Sequence, residues 1–375
     1  MAEKQKHRPR SISYFDYNLL FILIFVIGFG LVMLYSSSSY TAANRFQDSA
    51  YYLKRQIRAI LIGLIPMGVL AGIDYRIWKS FGLLAYVVAF GLCTAVLIPG
   101  VGNSSHGQSR WISLGPLSFQ PSELAKIAVI LFLAVVIEKV PKQMNSLKGI
   151  VKILIMLLPI VGVIAYNNLS TAIIVMGIAV CMMFVASPQY KPFLLIGILG
   201  ILFVVVFIFA AGYRGDRIEA WLHPETAGDK GYQTLMGLYA IGSGGLFGKG
   251  LGESLQKMGH VPEVQNDMIF TIICEELGLF GAVCVILLYV LMIWRMMVIA
   301  NNAKDLFGAL LVVGVMAHIS LQVILNIAVV TNTIPNTGVT LPFISYGGTS
   351  IVFLMSEIGL VLGVSRGIKL ESMNT

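Results

Sequence analysis

The chain has 375 residues, 57% hydrophobic and 12% charged, with a mean hydropathy of +0.84. A soluble domain carries about 25% charged residues, so a water-soluble globule is excluded and a polytopic membrane protein is expected. The net charge of +8 fits cytoplasmic loops rich in Lys and Arg better than a nucleic-acid surface.

In chain order, the basic MAEKQKHRPR precedes an apolar run near 17–36. A cleaved signal has an apolar region of roughly 7–15 residues, so this longer run reads as an uncleaved first span. Further runs able to cross roughly 30 Å of hydrocarbon lie near 56–73, 80–99, 122–138, 149–166, 169–186, 191–212, 267–294, 306–330 and 344–365. The expected fold class is therefore an all-α polytopic membrane protein of about ten transmembrane helices. Only Asn167 and Asn168 separate the fifth run from the sixth, which predicts a tight helical hairpin or one broken pair. The eighth is long enough to project beyond the bilayer at its start.

Ten spans put both ends on one side. About fifteen Lys and Arg fall on that side and about ten on the other, half of those in one long loop. Both termini are thus expected in the cytoplasm. The division is a basic tail at 1–16, a membrane domain at 17–366 and a second tail at 367–375. Within the membrane domain one large extracytoplasmic loop, 213–266, carries Trp221, Tyr232, Tyr239 and an apolar patch at Leu235–Ile241, so a structured cap is expected. A second external segment, 100–121, is rich in Gly, Ser and Pro. The four cysteines lie in apolar stretches without C-x-x-C spacing and read as small core residues.

Three acids stand out in PEVQNDMIFTIICEELGLFG. Asp267 lies at the mouth of the eighth run, while Glu275 and Glu276 lie inside it. At about 100° per residue, Glu275 falls about 80° from Asp267 and Glu276 points roughly the opposite way, so the three cannot share a site. Asp267 reads either as a chemical carboxylate or as a helix N-terminal acid favoured by the dipole. Glu123 and Lys126 in SELAKIAVILF are spaced to pair on one helix face, as a structural pair or as a headgroup anchor, with Ser122 as the expected N-cap. Arg110, Arg214 and Arg217 are external, and arginine binds phosphate bidentately; for Arg217 a local pair with Glu219 is the alternative. IGSGGLFGKG lacks phosphate-loop spacing and reads as a flexible turn. The five histidines show no zinc spacing. In PNTGVTLPFISYGGTS, three glycines and two prolines forbid a regular helix, which predicts a shaped connector, buried or lining a cavity.

PNTGVTLPFISYGGTS resembles the signature of the shape, elongation, division and sporulation (SEDS) family. GQSRWISLGPLSFQPSELAKIA, YRGDRIEAWLHP with GYQ and IGSGGLFGKG, and PEVQNDMIFTIICEELG resemble other family motifs, in the family's order. The YSSSSYTAA and YYLKRQ stretches lean toward its division and sporulation branch. The resemblance implies a peptidoglycan glycosyltransferase of the bacterial plasma membrane, active on the extracytoplasmic side. It would polymerise lipid II into β-1,4 glycan strands beside a class B penicillin-binding transpeptidase. It implies Asp267 as the catalytic aspartate, Arg110, Glu123 and Lys126 as polar groups of the central cavity, and Arg217 and Gln233 as functional positions of the external loop. The chain departs from family wording at Tyr166–Thr171, at His223–Pro224 and at Gln265 and Asn266.

Transfer with one inversion needs a base for the attacking hydroxyl. Pyrophosphate leaves without a general acid, its charge met by arginine, lysine or a divalent cation; no other cofactor is implied. Two other classes fit ten helices with intramembrane charge: a lipid-precursor flippase or transporter, and a non-catalytic division scaffold.

Overall fold

The computed structural model describes residues 12–98, 102–105, 108–114, 117–210 and 215–370. A short strand β1 (Ile12–Ser13) leads to α1 (Tyr17–Phe46) and α2 (Tyr51–Gly72). A 3-10 helix (Tyr75–Phe81) then runs into α3 (Gly82–Ala95). Next come β2 (Gly102–Ser105), β3 (Gln108–Leu114) and β4 (Leu117–Phe119), an antiparallel sheet in the expected external segment. This small sheet, with the two-residue pairing of β1 and β5 at the chain ends, departs from an all-helical reading. The bundle continues with α4 (Pro121–Lys139), a 3-10 turn (Pro141–Asn145), α5 (Leu147–Asn167), α6 (Leu169–Ala186) and α7 (Lys191–Ala210). The long loop holds α8 (Gly215–Leu222) and α9 (Asp229–Ser243). It is followed by α10 (Ile269–Asn301), α11 (Leu306–Val330), α12 (Thr349–Gly367) and β5 (Lys369–Leu370).

Each apolar run falls on a helix. Among the described residues, eight helices are long and apolar enough to cross a membrane, and the chain is an all-α polytopic membrane protein. The hairpin forms where the two asparagines stand: Asn168 Oδ1 accepts from Thr171 N at 3.1 Å and caps α6. The chain ends lie side by side, with Ile12 paired to Leu370 and Ser13 to Lys369. Asp16 caps α1 and takes a 2.6 Å ion pair from Arg295 of α10 on that same face.

α4 lies at the centre, nearly all of its residues buried, with α11 and α12 beside it. That placement explains how α4 tolerates Glu123 and Lys126: they face protein, where hydrocarbon would leave them unpaired. His318 of α11 and Glu357 of α12 form a buried pair, Nδ1 to Oε2 at 2.7 Å. Without a hydrophobic drive between helices in lipid, close approach depends on small residues. On α12, Gly359, Gly363 and Gly367 recur every fourth position, and a Cβ at Gly359 or Gly363 would meet α2 at Met67 O (2.6 Å) or Leu70 O (2.8 Å). Gly363→Leu is therefore expected to lower the thermal unfolding temperature in detergent, at a cost of roughly 1–3 kcal/mol from overpacking. Gly68→Leu, in open space on α2, should leave it nearly unchanged.

Two expectations change. The start of α4 is capped by position rather than by Ser122: Gln120 is the N-cap, Pro121 takes the first helical position as proline prefers, and Gln120 Nε2 donates to Ser122 Oγ inside the helix. The eighth apolar run begins as helix at Ile269, gains its extra length at the far end, and breaks at Gly278 (φ 66, ψ −166).

That break corrects the reading of IGSGGLFGKG as a flexible turn. A broken helix strands carbonyls before the break and N–H groups after it, which apolar surroundings cannot satisfy. The glycine segment supplies both sets. Lys249 N and Gly250 N donate to the carbonyls of Glu275 and Glu276, and Leu279 N and Phe280 N donate to those of Gly245 and Leu246. The approach is too close for side chains: a Cβ at Gly244 would lie 1.9 Å from Cys274 O, and one at Gly248 2.1 Å from Glu276 O.

Candidate active site

Asp267 sits in the turn that leads from Val261 into α10. Its angular relation to Glu275 along one helix does not apply, because Asp267 precedes the helix; Glu263 has left-handed backbone (φ 52) and also lies outside it. Nor does Asp267 cap: the N-cap is Met268, with no side-chain bond. Asp267 Oδ1 is buried with no hydrogen-bond partner. Burial pushes the carboxyl up to about 6; a hydrogen bond from its own backbone N–H opposes the shift, and the charge of Glu263 adds to it. A carboxylate held near neutrality with one oxygen left unengaged is suited to taking a proton.

The proline- and glycine-rich connector between α11 and α12 walls this acid. Asn326 of α11 donates through Nδ2 to both Asp267 O (2.8 Å) and Val339 O (2.7 Å), fastening the acid's backbone to the connector. Gly338 has φ 66, and a Cβ there would lie 3.8 Å from Asp267 Oδ2. Tyr346 N donates to Gln265 O at 2.8 Å. Gln233 of α9 reaches the same place: its Nε2 donates to Pro262 O at 3.4 Å and its Oε1 accepts from Asn336 Nδ2 at 3.2 Å. Trp221 of α8 and Asn332 exchange side-chain to backbone bonds at 3.0 and 3.1 Å. The cap helices, the connector and the acid turn thus form one assembly. As expected for irregular backbone inside a bundle, the connector is buried, with Leu341, Phe343 and Ile344 at most 3% exposed.

Asp267 and Gln233 are brought together. Glu123 and Lys126 pair with each other at 2.8 Å, Lys126 almost fully buried, and among the described residues no hydrogen bond joins them to Asp267. Arg110 falls on β3 and Arg217 on α8, but both side chains, and Arg214 entirely, lie outside the described residues. Glu275 and Glu276 are separate from Asp267 and from each other, with partners drawn mainly from the glycine-rich loop. Lys249 and Ser254 hold Glu275; Lys257, at 2.8 Å, and Ser36 of α1, at 2.7 Å, hold Glu276. Sequence reasoning missed Asn326, whose signal is an amide, with Gln322 one turn before it, in the apolar run LQVILNIAVV, and Asn336, whose signal is a turn residue inside the connector motif.

The profile of a family described as cell cycle protein, comprising FtsW, RodA and SpoVE, matches residues 17–370. The chain is 40% identical to stage V sporulation protein E of Bacillus subtilis, over 94% of this chain and 97% of that one. It is 35% identical to a probable peptidoglycan glycosyltransferase FtsW of Geobacter sp. strain M18, over 96% and 99%. Among solved structures, a chain of a peptidoglycan synthase complex described as coordinating polymerisation and crosslinking aligns with TM-score 0.78 and 27% identity, over 96% of this chain and 99% of that one. The rod shape determining protein RodA of Thermus thermophilus aligns with TM-score 0.67 and 27% identity, over 94% and 97%.

Proposed function

Because the chain belongs to the FtsW, RodA and SpoVE family of cell cycle proteins, we propose that it is a peptidoglycan glycosyltransferase that polymerises lipid II into β-1,4 glycan strands. The observation that carries the reading is the half-buried carboxylate of Asp267 at the mouth of a membrane helix, with its Oδ1 buried and without a hydrogen-bond partner. It is supported by relatives named as glycosyltransferases over nearly their whole length.

In the reaction, Asp267 takes the proton of the acceptor's 4-hydroxyl as its oxygen attacks the donor's anomeric carbon. The bond from that carbon to the pyrophosphate breaks, the electron pair leaves with the lipid pyrophosphate, and the α-linked donor becomes a β-linkage in one inversion. Arg110 and Arg217 meet the developing charge. Glu123 and Lys126 line the cavity, and Gln233 holds the acid turn against the connector through Pro262 and Asn336. The helix mouth suits a substrate whose tail stays in the bilayer while its sugars reach water. The site faces outside, and the partner is a class B penicillin-binding transpeptidase of the division or sporulation machinery.

The test is polymer formation from purified lipid II by the protein with its cognate transpeptidase. Polymer from the wild type supports the reading; absence of polymer together with lipid flipping overturns it in favour of a transporter. The base must be ionised to act, and burial holds its carboxyl at about 6. The polymerisation rate is therefore expected to rise with pH through about 6 and level off above it, falling about tenfold per unit below. A flat profile between pH 5 and 8, with folding intact, would remove Asp267 from the role of base.

A further inference from the structure

On the face shared by the two chain ends, a cavity of about 280 Å³ opens between the end of α2, the 3-10 helix after it, the connection from α10 to α11 and the end of α12. Four helix termini meet there, so it sits where apolar spans give way to polar connections. Three cations line it: Arg76, Lys304 and Arg366. The acids offset them only in part: Asp305 pairs with Arg76, and Asp74 keeps its charge at the cavity wall. Asp305 is committed on both oxygens, Oδ2 to Arg76 Nε and Tyr75 OH at 2.8 Å each and Oδ1 to Gly308 N as the cap of α11. Asp74 caps the 3-10 helix through Oδ1 at 3.0 Å. Arg366 donates to the carbonyls of Ala71 and Gly72 at 3.1 and 3.0 Å; among the described residues neither it nor Lys304 has an ion pair. Gly72, Gly363 and Gly367 also line the wall; of the three, only Gly72 has open space where a side chain would stand. Ile73 on the cavity wall is 36% exposed, and Val69, Ile77 and Leu306, close to the lining residues along the same elements, are 50%, 51% and 39% exposed.

We propose that this cavity binds the phosphodiester headgroup of an anionic membrane phospholipid, whose acyl chains lie over the exposed Val69, Ile73, Ile77 and Leu306. Basic pockets between helices at the membrane boundary suit lipid phosphates. Lys304 and Arg366 supply charge that no carboxylate among the described residues meets, and Arg366, already fixed by two carbonyls, presents its remaining donors preorganised. The apolar rim argues for a lipid over a free anion, which would need none. The site is separate from the Asp267 pocket and stands whether or not that pocket carries the proposed chemistry.

The experiment measures binding of phosphatidylglycerol, phosphatidylcholine and inorganic phosphate to the full chain in a neutral detergent, by native mass spectrometry and titration. Wild type should retain phosphatidylglycerol in preference to phosphatidylcholine. Lys304→Gln, which breaks no bond in the fold, should weaken phosphatidylglycerol about fivefold, and Lys304→Gln with Arg366→Gln about thirtyfold. Asp74→Asn, which keeps the cap and removes a nearby negative charge, should tighten it. Arg58→Gln, an exposed cation toward the other end of α2, should change it less than twofold. Equal retention of the two lipids, or equal weakening by Arg58→Gln and Lys304→Gln, overturns the site. Competition by inorganic phosphate as effective as by the lipid overturns the lipid in favour of a free phosphate.

Discussion

Asp267→Asn is expected to reduce polymerisation from lipid II by about 10²–10⁴-fold, the usual contribution of a positioned general base, and to make the folded protein more stable at pH 7. The two effects share one cause. Burial raises the carboxyl from its ordinary 3.8 to about 6, so the folded state holds the proton more tightly than the unfolded chain does. Stability contributed by that proton is present below pH 4 and is lost as pH rises through 6, because above it the fold must carry a desolvated charge. Asparagine keeps the shape and removes the charge, so its unfolding temperature should exceed wild type at pH 7 and match it near pH 3.5. A merely structural acid would give the opposite pair of results: destabilisation on substitution and a modest loss of polymer. Retained binding of the transpeptidase partner separates lost chemistry from lost assembly. Equal polymer from both proteins would reduce Asp267 to a bystander and leave the scaffold reading standing.

The spans were legible in the sequence because a bilayer demands runs of fixed length and low charge, a constraint each run states by itself. The hairpin at Asn167 and Asn168 was legible for the same reason, since two amides between apolar runs leave little else to form. The break at Gly278 was not. LGLFG reads as part of one continuous apolar stretch, and nothing local says that a segment some thirty residues earlier, Gly244–Gly250, supplies the hydrogen bonds that a break needs. The carboxylates show the same division. Their separation from Asp267 could be argued from spacing, although the helical geometry assumed for it was wrong. Their partners Lys249 and Lys257 could not be assigned, because those lie in a loop with no periodicity. At the site, residue type and position marked Asp267, whereas Asn326 and the Gln233–Asn336 contact depend on a tertiary meeting of α9, α11 and the connector.

Gly278→Ala is expected to cost stability and polymerisation together, whereas Gly242→Ala should cost neither. At Gly278 an L side chain meets two penalties. Its positive-φ, extended backbone (φ 66, ψ −166), a region essentially reserved for glycine, costs an L residue about 1–3 kcal/mol, and the Cβ would lie 2.3 Å from Gly248 N and 2.6 Å from Leu246 C and O. Relief requires the glycine segment to withdraw, which strands the carbonyls of Glu275 and Glu276 and the N–H groups of Leu279 and Phe280. At Gly242, within α9, no heavy atom lies within 4 Å of the added carbon, and alanine is the better helix former by about 1 kcal/mol. The ion pair beside the clamp offers a second route to the same conclusion. Lys257→Met alone leaves Glu276 buried and unpaired, at a cost of about 3–5 kcal/mol, while replacing both members by methionine should recover most of it. Thermal unfolding of the four proteins of that cycle would measure the coupling. The half-helix Ile269–Leu277 carries the Asp267 turn at its start, and this clamp fixes its other end. Loosening should therefore lower kcat even though no altered atom touches substrate. A Gly278→Ala protein that unfolds and polymerises as wild type does would show that the acid is positioned by the connector and Asn326 alone.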